Sequence, residues 1–194
     1  MFEEAIVKAP RSDVAELYVK YAKAEEQFGL SRHAVTVYER ACAAVQDSDK
    51  LDMFRLCIRK VEQFCGITKT RPVYEKAVAE LLNNNTVVAG GLTCSSVSLM
   101  CLEYAEMERK LGEIDRARAI YQHGSQFVDT RRDPIHYWNS WKIFEETHGN
   151  EDTFRDMLRV KRSVEVAFSQ VTAVVAMCDN MCDDNVCDDC VMLV

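Results

Sequence analysis

One short theme returns along the chain at a fixed interval. FEEAI begins at Phe2, YERAC at Tyr38 and YEKAV at Tyr74, so the leading aromatics stand 36 residues apart. Tyr121 and Leu158 continue the series at steps of 47 and 37 residues, which puts an insertion in the third unit. A period of this length marks a stack of similar supersecondary units, and it constrains the fold more than any local motif could.

The units also align on four glycines, Gly29, Gly66, Gly112 and Gly149. Four residues before them stand Glu25, Glu62, Glu108 and Glu145; eight before them stand Tyr21, Ile58, Tyr104 and Trp141. Ala24, Val61, Met107 and Phe144, five residues before, complete a face at helical spacing. Downstream, small and apolar residues recur at intervals of three and four, as in Ala117, Ile120, Tyr121 and Gly124, and predict a second helix. Each unit therefore reads as helix, glycine turn, helix. The glycine is expected to supply the positive φ that ends the first helix.

A single pair of helices cannot bury both of its apolar faces, so neighbouring pairs must stack. The fold class predicted is all-α, an α-solenoid of antiparallel helix pairs. Residues 1–170 form the array: a partial repeat over 1–10, then about four repeats, with the extra residues in a loop at 83–97 rich in Asn and containing Gly90-Gly91. Residues 171–194 form a Cys- and Asp-rich tail. Because Phe2 already occupies the place of Tyr38, late in a second helix, the chain is expected to be a piece of a longer array or an incomplete gene model.

Charge and composition exclude several classes of function. The formal net charge is -7, but Asp179, Asp183, Asp184, Asp188 and Asp189 contribute five of the negative charges, so the body is close to neutral. No field of one sign steers the chain as a whole to nucleic acid or to an anionic membrane. The most apolar stretch, Val164 to Met177, is short and interrupted by Glu165 and Gln170, so no membrane span is predicted. The N-terminus lacks the basic and apolar regions of a signal peptide. The nine cysteines are accordingly expected as thiols, without a structural disulfide.

No catalytic seat is visible. His33, His123, His136 and His148 are scattered without metal-ligand spacing, and no phosphate-binding loop or nucleophile motif occurs. The chain reads as no enzyme, with no cofactor and no small-molecule substrate. Cys178, Cys182, Cys187 and Cys190 are the weak candidates for a zinc site, but they crowd into thirteen residues among aspartates without the loop such a site uses. Arg131, Arg132, Arg155, Arg159, Lys161 and Arg162 gather near the fourth unit. Of these, Arg159, Lys161 and Arg162 are candidates for contact with RNA phosphates or a protein partner; the interleaved acids also suit a solvated helix face.

The first helices carry aromatic-x-x-aromatic, as in YVKY (Tyr18, Tyr21) and WNSW (Trp138, Trp141), with Glu25 and Glu145 four residues later. The second helices carry RARAIY, with Arg118 and Tyr121, or TRPVY, with Arg71 and Tyr74. This resembles the half-a-tetratricopeptide, or HAT, repeat of RNA-processing scaffolds. Cys101 to Tyr121 and His148 to Val164 are similar, more narrowly, to the C-terminal HAT array of the Syf pre-mRNA-splicing factors, also called XPA-binding proteins. The resemblance covers about residues 1–170 and implies a nuclear, non-enzymatic scaffold of the NineTeen-type complex whose partners are other splicing proteins. For the animal relatives it further implies a link to transcription-coupled repair. The alternatives are a tetratricopeptide-like peptide-binding module, whose usual period is about 34 residues, and a helical-repeat protein that contacts RNA directly.

The units depart from the pattern in places. Arg55 and Ile58 replace the aromatic pair in the second, and Cys101 and Tyr104 reduce it in the third. An arginine precedes the second-helix aromatic position by three residues as Arg71, Arg118 and Arg155, whereas Val35 stands there in the first unit. If that arginine pairs with the turn-proximal glutamate, the first unit must use Arg32 or lack the pair. Such a pair would fix helix-helix geometry more than it adds net stability.

Overall fold

The computed structural model describes residues 2–84, 95–128 and 134–181, with side chains described as far as Ser169. Among these residues all regular structure is helical. The chain separates into two compact units, Met1–Asn84 and Asn85–Val194.

The first unit holds α1 (Phe2–Lys8), α2 (Val14–Gln27), α3 (Ser31–Ala44), α4 (Asp47–Cys65) and α5 (Arg71–Asn84), with a 3-10 turn at Ile67–Thr70 before α5. Each helix packs against the next in chain order. Ala22, Ala34, Val37, Tyr38, Ala41, Phe54, Val61 and Ala77 are buried between them. The small residues let the helix axes approach, and the larger ones fill the spaces that remain. The second unit holds α6 (Ser95–Lys110), α7 (Ile114–Gly124), α8 (Pro134–His148) and α9 (Glu151–Met181). There α6 packs on α7 and on α8, and α8 packs on α9. Its core gathers Ala105, Ala117, Tyr121, Val128, Tyr137, Trp138, Trp141, Phe144 and Met157. Each unit is thus a stretch of all-α solenoid.

Two kinds of glycine turn close the first helices. Gly29 has φ of 77°, and its N–H donates to the Glu26 carbonyl while Leu30 N–H donates to the Glu25 carbonyl. This is a Schellman ending, in which the left-handed residue turns orphan amides back onto the last carbonyls. Gly112 repeats it with Arg109 and Glu108, and Gly66 also has a positive φ. Gly149 departs from the expectation, because its φ lies outside the left-handed region. Space constrains it instead: a Cβ there would collide with the Glu145 carboxylate and stand 2.5 Å from Thr153 Oγ1.

Two boundaries also differ from the sequence reading. Helix α5 runs through Asn84 and α6 starts at Ser95, so the expected loop at 83–97 is helical at both margins; residues 85–94 lie outside the described ones. Helix α9 passes residue 170 without a break and continues to Met181. Cys178 sits on that helical backbone, whereas Cys182, Cys187 and Cys190 fall outside the described residues.

Candidate functional site

The repeat residues converge on the joins between consecutive helix pairs. Tyr121, on α7, lies flat against Trp141, on α8 of the following pair, with ring centroids 6.0 Å apart and planes 7° from parallel. Phe2, on α1, stacks in the same way on Tyr21 of α2, at 5.2 Å and 13°. The second-helix aromatic of one repeat therefore meets the second aromatic of the next repeat's first helix. Offset stacking of this kind adds about 0.5–1.5 kcal/mol to the burial of the rings. Trp138 stacks on Trp141 at 5.8 Å, and Tyr137 donates its hydroxyl hydrogen to the Tyr121 carbonyl at 2.6 Å. Burial holds the Tyr137 phenol well above its ordinary pKa. Trp138, Trp141 and Tyr18 are buried and form part of the packing.

Where Ile58 stands in place of an aromatic, the join differs. Ile58 is itself buried, yet Tyr38 directs its hydroxyl to Glu26 Oε1 at 2.9 Å, and Lys60 of α4 donates to Glu26 Oε2 at 2.7 Å. The Lys60 ammonium also lies 5.5 Å from the centre of the Phe64 ring. Burial raises the Tyr38 phenol, and its hydrogen bond to Glu26 raises it further. Glu26 and Lys60 were not marked by the repeat pattern; the one available signal was that Glu26 doubles the recurring Glu25.

The recurring glutamates share a sequence position but occupy different surroundings. Glu108 and Glu145 are buried, Glu25 is half-buried and Glu62 is exposed. Arg118 donates from Nε to Glu145 Oε1 at 2.9 Å, and Trp141 Nε1 donates to the same oxygen at 3.1 Å. Arg118 thus reaches the turn-proximal glutamate of the following repeat. Arg116 stands 4.0 Å from Glu108, and Arg155 pairs with Glu151 and Asp152 of its own helix. In the first repeat His33, and not Arg32, approaches Glu25, at 3.1 Å. Arg71 begins α5, and Val73 and Tyr74 behind it are buried.

In the second unit the spacing of α6 from α8 leaves a groove of about 540 Å³. Leu102, Tyr121, Ile143 and Phe144 give it an apolar lining; Glu103, Glu106, Arg109, His136 and His148 give it a polar rim. Tyr104, also on α6, is buried. Ile143 is 62% exposed, unusual for an aliphatic residue in the middle of a helix. The Arg109 guanidinium grips Glu106 with two bonds, at 2.6 and 2.7 Å, which keeps that carboxyl below its ordinary range. Burial, with the Glu106 charge nearby, pushes the Tyr121 phenol up to about 12.

The basic residues near the fourth repeat make a different surface. Arg159 bonds Asp156 at 2.7 Å, and Lys161 approaches Glu165 at 3.9 Å, each within α9. Arg162 is exposed on the same helix; Arg131 and Arg132 lie outside the described residues. Cations matched by acids one turn away, as Arg159 and Lys161 are, suit a solvated helix face. Among the described residues no helix is long and apolar enough to cross a membrane.

Comparison with known proteins gives this architecture its relatives. The family described as pre-mRNA-splicing factor Syf1/CRNKL1 C-terminal HAT repeat matches residues 1–188, past the limit near residue 170 that the sequence motifs alone suggested. The chain is 46% identical to pre-mRNA-splicing factor syf1 of Aspergillus fumigatus over 169 residues, which are 87% of this chain and 19% of that protein. It is 41% identical to SYF1 of Dictyostelium discoideum over 93% of the chain and 20% of the relative, and 43% identical to human SYF1 over 87% and 18%. The chain therefore spans about a fifth of the length of these relatives. Among solved structures, BtubC (BKLC) from P. vanneervenii shares the fold, with a TM-score of 0.50 at 15% identity, covering 87% of this chain and 72% of that one.

Proposed function

Because the chain belongs to the Syf1/CRNKL1 C-terminal HAT-repeat family of pre-mRNA-splicing factors, we propose that it is a segment of a non-enzymatic helical scaffold that acts in splicing by holding other splicing proteins. The observation that carries this reading is the family match over nearly the whole chain. The groove between α6 and α8 is the surface offered for such a contact, since Ile143 stands open beside Phe144 and Leu102. Stacked repeats present side chains from successive first helices along one continuous face, which suits protein binding without any reactive group.

The finer parts of the reading are a nuclear location, membership of a NineTeen-type complex and a link to transcription-coupled repair. They rest on the resemblance to the family. The test is affinity purification of the tagged complete protein from nuclear extract. Core splicing proteins are expected to co-purify in stoichiometric amounts; a complete, folded protein that never enriches them overturns the proposal. Ile143→Glu should lower that recovery severalfold while changing stability by no more than about 0.5 kcal/mol, as is usual for an exposed position.

A further inference from the structure

Beside the join between α3 and α4, where Ile58 interrupts the aromatic pattern, α3, α4 and α5 line a half-open cavity of about 170 Å³. Two cysteines line that cavity: Cys42 from α3 and Cys57 from α4. Phe54, Pro72 and Val73 form apolar walls, and the exposed Glu39 and Lys76 stand at its edge. Both thiols are free and buried, and both line this one cavity.

The repeat does not itself demand a cysteine at position 57. The equivalent residues, each just before the second aromatic position, are Lys20, Glu103 and Ser140. Cysteine often fills a core as a small hydrophobe, but two thiols lining one small cavity from neighbouring helices can also chelate. A zinc centre needs four ligands, and no group of three or more His, Cys, Asp or Glu is assembled for a metal among the described residues. A disulfide needs a two-electron oxidant. A trivalent arsenic centre carrying one organic group is satisfied by two thiols with no further ligand and no net oxidation.

We propose that Cys42 and Cys57 form a dithiol site that binds one mono-organic trivalent arsenical through this cavity, tying α3 covalently to α4. With phenylarsine oxide, two As–S bonds form and the As–O bond breaks. The two thiol hydrogens leave with the oxygen as water, and arsenic remains trivalent.

The experiment uses the full chain with Cys178, Cys182, Cys187 and Cys190 replaced by Ser, so that the tail thiols cannot compete. One equivalent of phenylarsine oxide is added to the folded protein, followed by proteolysis without reductant and mass spectrometry. The expected product is a peptide containing Cys42 joined to one containing Cys57 through a single phenylarsenic group. It should be lost in Cys42→Ser and in Cys57→Ser, and lost when the protein is unfolded in urea before the arsenical is added. Arsenic on another pair of thiols, no uptake by the folded chain, or equal linkage in folded and unfolded protein would each overturn the proposal. The linked peptide is read on unsubstituted Cys42 and Cys57, so the test holds even if a serine variant fails to fold.

Discussion

At the scale of single residues, positions that look alike in the sequence are held by different forces. Gly29 and Gly149 occupy the same place in their repeats, but the first is fixed by φ of 77° with open space around it, and the second by the Glu145 carboxylate and Thr153. Gly29→Ala should therefore cost about 1 kcal/mol through left-handed strain, and Gly29→Asn less, because Asn tolerates that region. At Gly149 the order should reverse, since Asn adds bulk where even a methyl collides; paired urea titrations of the four variants check both. The glutamates diverge similarly. Glu145 is 2% exposed and shares an oxygen between Arg118 and Trp141, with its other oxygen unpartnered among the described residues. Arg118→Ala would strand that buried charge and is expected to destabilise the chain by about 3 kcal/mol, far more than Arg159→Ala, whose partner Asp156 is exposed. The recurrence of Glu at this position was legible in the sequence. Its partner was not, because a one-dimensional period does not say whether an arginine points back into its own repeat or forward to the next.

At the scale of elements, helix existence followed directly from apolar spacing, while ends and attachments depended on contacts between repeats. Helix α9 begins with a reciprocal cap: Thr153 N–H donates to Asn150 Oδ1 at 2.9 Å, and Asn150 N–H donates to Thr153 Oγ1 at 2.9 Å. Asn150→Ala should cost about 1 kcal/mol and fray the first turn, visible as faster amide exchange at residues 151–154. Helix α1 is held by the Phe2–Tyr21 stack and by Arg40, which donates two hydrogen bonds of 2.8 Å to the Glu3 carboxylate. The bond to Arg40 lowers the Glu3 pKa. A lowered carboxyl contributes attachment above its unfolded pKa and loses it as pH falls through the folded value. Exchange protection of α1 should thus be steady at neutral pH and decline below about pH 4, the ordinary carboxylate range, with Arg40→Gln abolishing the dependence. The helical margins of the insertion do not show in the sequence because Asn83, Asn84, Ser95 and Ser96 are turn-prone by type, whereas Leu81 and Val97, buried on either side, carry the helices into it.

At the scale of the whole molecule, repeats stabilise one another through their joins, and two joins, one in each compact unit, use the same device. The 36-residue period announced the stack, and the glycines and aromatics announced its hairpins; what the sequence left unread was the α6–α8 groove, which depends on how far apart two first helices are held. The cavity beside Cys42 and Cys57 was equally unread, since its lining comes from three different helices, α3, α4 and α5. Trp141→Ala should cost about 3–5 kcal/mol, because it removes contacts with Tyr121, Trp138 and the Glu145 carboxylate together. Calorimetry on the full chain should record that loss as a lower Tm. The most direct test of the stacked arrangement is nuclear Overhauser spectroscopy on protein with labelled aromatic rings. Cross-peaks between Phe2 and Tyr21 and between Tyr121 and Trp141 are the expected result; a helical chain in which neither pair is in contact would contradict the account.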